Sequence, residues 1–150
     1  MRRLTIGAVV LLAGFAQAAG AGDVGQIKTA KGGVVIVRAG QEIAAAPGTA
    51  LEQADRVVTK ADGSAGITFK DNSLLSLGPD SMLDISHFSF EAPGQPDGLE
   101  ATLHRGTLSA VSGKIVAKTP EAMRIRTPTT VLGVRGTEFF VKVTNPDPVK

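Results

Sequence analysis

From residue 19 onward, Gly, Pro, Asp and Asn cut the chain into short apolar runs spaced as in all-β folds, and no convincing amphipathic helix interrupts them. Val34-Val35-Ile36-Val37 is β-branched throughout and lies between Gly32-Gly33 and Gly40, which predicts a strand buried on both faces. Residues 41 to 50 carry a weaker signal, for a loop or a short pairing. Val57-Val58-Thr59 predicts a further strand, and Lys60-Ala61-Asp62-Gly63 a turn. Ala65, Ile67 and Phe69 then share one strand face, and Asp71-Asn72 predicts a tight hairpin, because both residue types tolerate positive φ. The return strand, Ser73 to Leu77, ends at Gly78-Pro79.

Leu83 and Ile85 alternate, and Phe88 and Phe90 continue the pattern out of phase, the mark of a bulge or a bend. Residues 91 to 98 form the clearest exposed loop. Strand signals return at Leu99, Ala101 and Leu103, and at Leu108 to Val111. Met123, Ile125 and Thr127 alternate with Arg124 and Arg126, a strand wet on one face; Thr137, Phe139, Val141 and Val143 alternate with Glu138, Phe140 and Lys142. The sum is roughly nine to eleven short strands, an all-β single domain of antiparallel pairs arranged as a sandwich, a jelly roll or a short β-solenoid.

Residues 1–18 are set apart from this domain. Arg2 and Arg3 precede an apolar stretch, Leu4 to Phe15, and Ala16-Gln17-Ala18 is a small-x-small cleavage pattern, so the segment reads as a secretory signal and residues 19–150 as the domain. The stretch is shorter than the roughly 20 residues that span a bilayer, so a retained anchor is the weaker reading. Formal charge is +2, and the excess lies in Arg2 and Arg3 alone; without them fourteen cations face fourteen anions. A neutral mature domain has no electrostatic footprint for nucleic acid.

Hydrophobic residues are 43% of the chain, with no Trp, Tyr or Cys, so six Phe are the only large rings available to the core. The missing Cys excludes a thiol nucleophile, a Cys-based zinc site, an iron-sulfur cluster and a lipidated cysteine. His87 and His104 lie near no second ligand at a metal spacing, so no metal is expected. Gly32-Gly33 precedes a strand instead of opening a helix, which implies no nucleotide cofactor. No Ser lies in Gly-x-Ser-x-Gly or Ser-x-x-Lys, and Asp71, Asp80 and Asp84 occupy turn or strand-end contexts where solvated acids are ordinary. The chain is expected to be no enzyme.

Three segments carry a resemblance: Ile67 to Ser73 with Leu77-Gly78-Pro79; Arg105-Gly106-Thr107-Leu108 with Ser112-Gly113-Lys114; and Thr127-Pro128-Thr129-Thr130-Val131-Leu132-Gly133-Val134-Arg135-Gly136-Thr137-Glu138-Phe139. With Gly25 and Arg38-Ala39-Gly40, they resemble the FecR domain family. The resemblance implies a domain outside the cytoplasmic membrane, periplasmic in a Gram-negative bacterium, of the stand-alone exported kind. The best-known members relay iron-siderophore signals to a sigma factor; that circuit does not transfer, since a cytoplasmic anti-sigma segment and a further carboxy-terminal subdomain are not expected here.

Candidate partner-binding or structural residues are Arg135, Gly136, Thr137, Glu138, Asp71, Arg124 and Arg126. Arg135 sits between Gly133 and Gly136, where its guanidinium could hold a carboxylate through two parallel bonds; Asp71, Asp55 or a ligand would supply it. An internal ion pair fixing the strands is the weightier expectation for Arg135, and a turn role for Asp71. Arg124 and Arg126 face one way, toward solvent, an anionic glycan or an acidic partner. The functional expectation is a periplasmic binding or signalling module that docks an envelope protein, most simply by strand addition. The alternative is a structural or carbohydrate-binding module at peptidoglycan or polysaccharide, against which the lack of Trp and Tyr counts.

Overall fold

The structure is a computed structural model and describes residues 22–135 and 138–144. Residues 1–18, read above as a secretory signal, and the candidates Gly136 and Thr137 lie outside the described residues. Twelve strands follow one another: β1 (Asp23–Lys31), β2 (Val34–Arg38), β3 (Gln41–Ala44), β4 (Ala50–Glu52), β5 (Arg56–Thr59), β6 (Ser64–Phe69), β7 (Leu74–Leu77), β8 (Met82–Ser89), β9 (Gly98–Val111), β10 (Met123–Arg126), β11 (Val131–Gly133) and β12 (Glu138–Val143). One short helix, α1 (Lys114–Lys118), separates β9 from β10.

The strands form one all-β sheet in two halves. The first half is ordered β4-β1-β6-β7-β9-β12 and the second β3-β2-β5-β8-β9-β10-β11, and both contain β9. Residues Gly98 to Arg105 of β9 pair with β8, and Leu108 to Val111 with β7. Gly106, at φ +94, lies between them in a conformation that L side chains rarely adopt; a Cβ there would also collide with Ser81. The glycine therefore lets one strand leave one half and enter the other, and the sheet curls onto itself as in a sandwich. Across the fold, the rings of Phe69 on β6 and Phe88 on β8 stack with centroids 5.5 Å apart.

The interior is mainly aliphatic, with Phe69 its largest fully buried side chain. Ile27, Ile36, Leu51, Val57, Leu75, Leu83, Ile85, Leu103 and Leu108 are fully buried, drawn from both halves in the period-2 alternation of their strands. Truncating any of the large ones to Ala would cost about 2–5 kcal/mol.

The local expectations hold in several places. Asn72, at φ 67, closes the β6–β7 hairpin. The register of β8 against β9 shifts between Ile85 and His87, where the phase change predicts a bulge. In β10, Met123 and Ile125 are buried while Arg124 and Arg126 are exposed.

Elsewhere the structure differs. In β2 only Val34 and Ile36 are buried, and Val35 and Val37 are half-exposed, so the β-branched run reports one covered face and not two. Residues 41 to 50, expected as a loop or a short pairing, do hold short pairings: β3 with β2, and the start of β4 with β1. The strand signals at Leu99 and Leu108 belong to one strand of 14 residues. β10 runs parallel to β9, made possible by the α1 crossover. The helix itself is one turn and buries Ile115 and Val116, too short to show a helical period in sequence.

Candidate functional site

The buried polar groups show how the segments that carry the resemblance meet in the fold. Asp71, in the β6–β7 turn, is wholly buried. Its carboxylate accepts hydrogen bonds from the N–H of Ser73 (3.0 Å), the hydroxyl of Ser73 (2.7 Å) and the N–H of Ile115 (3.2 Å). Its carbonyl accepts from the N–H of Lys114 (2.8 Å), and the Ser73 Oγ accepts from the N–H of Gly113 (3.0 Å). A Cβ on Gly113 would stand 2.5 Å from the Ser73 nitrogen, so only glycine lets α1 close on the hairpin. Segments 67–73 and 112–114 thus meet as a clasp, and the carboxylate serves the start of α1. Asp71 is a turn residue as expected, but not a solvated one, because its carboxylate is enclosed by Ser73 and Ile115, both buried.

A second polar knot joins Gly78 and Thr107. The Thr59 hydroxyl donates to the Gly78 carbonyl (2.6 Å) and accepts from the N–H of Ser81 (2.9 Å). Ser81 Oγ accepts from the N–H of Thr107 (3.0 Å), and the Gly78 N–H donates to the Thr107 carbonyl (3.1 Å). The segments 77–79 and 105–108 are therefore also in contact, at the point where β9 changes halves.

Arg38 holds the other buried acid. Its Nε and Nη2 donate to the two oxygens of Asp55 at 2.8 and 2.7 Å, Nη2 also reaches the Ala50 carbonyl at 3.1 Å, and Glu52 lies 3.3 Å from Nη1. The Glu52 N–H donates to Asp55 Oδ2 at 2.8 Å. Arg38 is the internal ion pair that the sequence reading assigned to Arg135. Arg135 instead pairs with Glu121, and both side chains are exposed, at 75% and 68%. The reason is position: Arg135 follows β11, at the rim of the second half, while Asp71 is enclosed by α1 and Asp55 by Arg38.

The outer face of the second half is charged in rows. Arg56 on β5 makes two bonds to Asp84 on β8, and His104 Nε2 lies 2.8 Å from Asp84 Oδ2. The Arg56 guanidinium, with a smaller contribution from His104, holds the Asp84 carboxyl below its ordinary value, against the opposing effect of burial. Arg126 is matched by Glu100 on β9. Arg124 lines a shallow hollow of about 210 Å3 with His87, Asp97, Glu100 and Glu121. Among the described residues no group of three His, Cys, Asp or Glu is placed to hold a metal.

The remaining feature is an open rim. β12 has a neighbour, β9, on one side only, and exposes Glu138, Phe140 and Lys142 while Val141 is buried. Phe140 is 67% exposed, the largest such side chain in the described structure. Beside it lies a cleft of about 580 Å3, the largest described, lined by His104, the turn Thr127 to Thr130, Leu132 and the strand from Phe140 onward. The turn is fixed by the Thr127 N–H donating to the Thr130 carbonyl at 2.8 Å.

A family model described as FecR protein matches residues 55–149. The chain belongs to the FecR protein family. Comparison with curated proteins and with solved structures returns no match. The FecR match covers the clasp at Asp71, the knot at Thr107 and the open rim at β12, and links the chain to envelope-associated signalling proteins. It begins at Asp55 and omits β1 to β4, yet β1 pairs with β6 and β2 with β5, so those strands complete the same sheet. Gly25 and Arg38, outside the match, are built into it: a Cβ on Gly25 would stand 2.9 Å from the Phe69 Cα.

Of the candidates named from sequence, Asp71 lies in the clasp, Arg124 and Arg126 on the charged face, Arg135 on the rim of the second half and Glu138 at the start of β12. They do not form one site. Phe140, which the alternation of β12 assigns to the wet face, is the residue that motif reading passed over.

Proposed function

We propose that this chain is a non-catalytic signalling module of the cell envelope that docks another envelope protein by strand addition at the free edge of β12. One observation carries the reading: a six-residue edge strand with an exposed Phe140, next to the largest cleft described. Edge strands are ordinarily blunted by shortness or charge, and β3, β4 and β11 have only four, three and three residues. β12 is longer and apolar at its centre. An incoming strand would take its unpaired backbone groups, and the cleft would receive alternate side chains.

The buried acids support a non-catalytic reading, since Asp71 and Asp55 are spent on backbone and Arg38 partners. A glycan-binding reading draws less support, because Arg126 is matched by Glu100, and Arg124 shares its hollow with Asp97, Glu100 and Glu121, a poor grip for an anionic polymer.

The test is photocrosslinking in intact cells from a photoreactive residue at Thr129 in the cleft, with Glu42 on the distant strand β3 as control. One envelope protein captured from position 129 and not from 42 is the expected result. Cell-wall fragments in place of a protein, or the same products from both positions, would overturn it.

A further inference from the structure

The edge of β12 specifies its own occupant. Glu138, Phe140 and Lys142 stand on one face of the strand, all exposed, and neither charged member is ion-paired to a described residue. An antiparallel strand complementary to this face must present, from its own N-terminus, an acid opposite Lys142, an apolar residue opposite Phe140 and a base opposite Glu138. That order is acid, apolar, base at alternate positions, which is the order of β12 itself.

We infer that β12 pairs with β12 of a second copy across a two-fold axis through Phe140. In that register the two Phe140 rings meet, each Glu138 faces a Lys142 of the other copy, and on the opposite face Phe139 meets Val141. Sliding the register by two residues sets a charge against a ring, and a parallel arrangement sets Glu138 against Glu138. Only the register centred on Phe140 satisfies every exposed side chain, and it is isologous, so the assembly closes at two copies. Because this is the edge proposed above for docking, and resting on that reading, self-pairing would hide it: partner and second copy compete for one row of backbone groups.

Sedimentation velocity on the purified protein, from about 1 to about 100 µM, suits a contact of this size, which falls in the weak class. The native chain should move from monomer toward dimer across that range. Glu138→Lys puts two Lys opposite two Lys, and Lys142→Glu puts acid against acid, so each variant alone should remain monomeric. Mixed in equal amounts they should form a heterodimer, since every facing pair is then of opposite sign. Both substitutions are at exposed positions, and circular dichroism of each should match the native chain. A native chain that stays monomeric, or a mixture that does, overturns the inference. Sedimentation of the purified protein reads self-pairing with no partner present, and the mass of the product crosslinked at Thr129 tells a second copy from a different protein, so either can fail without the other.

Discussion

The carboxylate of Asp71 accepts a hydrogen bond from the backbone N–H of Ile115, 44 residues further along the chain. The contact ties a hairpin tip to the first turn of α1, and it makes Asp71 a fastener in place of a reactive acid.

Asp71→Asn retains the shape and removes the charge, replacing one acceptor oxygen with a donor. Either the Ser73 hydroxyl and the Ile115 N–H, or the Ser73 N–H, then lose their acceptor in a buried site. The expected loss is about 1–3 kcal/mol, read as a lower urea midpoint with unchanged slope. Gly113→Ala should cost at least as much, because the added methyl meets Ser73 and Asn72 backbone.

Arg38 and Arg135 make opposite predictions. Arg38→Ala strands the buried carboxylate of Asp55; with Arg38 itself about a third exposed, the loss should fall near the low end of roughly 3–5 kcal/mol. Arg135→Ala removes a solvated pair and should change stability by about 0–1 kcal/mol. Urea denaturation of the two variants side by side checks the assignment, and a larger loss at Arg135 would reverse it.

Asp84 sets the pH response of the charged face. Its folded carboxyl titrates below the ordinary value of 3.8, so its stabilising contribution is fully present above that pH and is lost as pH falls through the lower folded value. The gap in urea midpoint between the native chain and Asp84→Asn should therefore close progressively as pH falls below about 4. A gap that widens below that pH would contradict the ion pair with Arg56.

Phe140→Ser should leave stability within about 0.5 kcal/mol, as at other exposed positions, while weakening both partner capture and self-association. A large loss of stability would mean that Phe140 is packed in the free protein.

Strand positions, the Asp71-Asn72 hairpin and the bulge in β8 were legible because each is written in a few adjacent residues: an alternation, a turn pair, a phase change. The partner of Arg135 was not, since Asp71, Asp55 and a ligand all fit until the fold decides which lie within reach; Arg38 took Asp55 because the turn at Ala39-Gly40 and the bend before β5 bring them together. The parallel pairing of β10 and the continuity of β9 through Gly106 were likewise properties of contacts between distant segments. Phe140 was legible as a wet residue, and its meaning required knowing that nothing else in the described structure lies beyond β12 in the sheet.

β9 has a second consequence, in the language of amide exchange. Its 14 residues are flanked by neighbours in both halves of the sheet, so no half can open without breaking bonds to it. Its protected amides should exchange with solvent only when the whole molecule unfolds, and at one common rate from end to end, whereas those of β12 should exchange by local detachment. The strand that offers itself to a partner is thus hung on the one element least able to yield, and the grip of a partner would reach the whole domain through it.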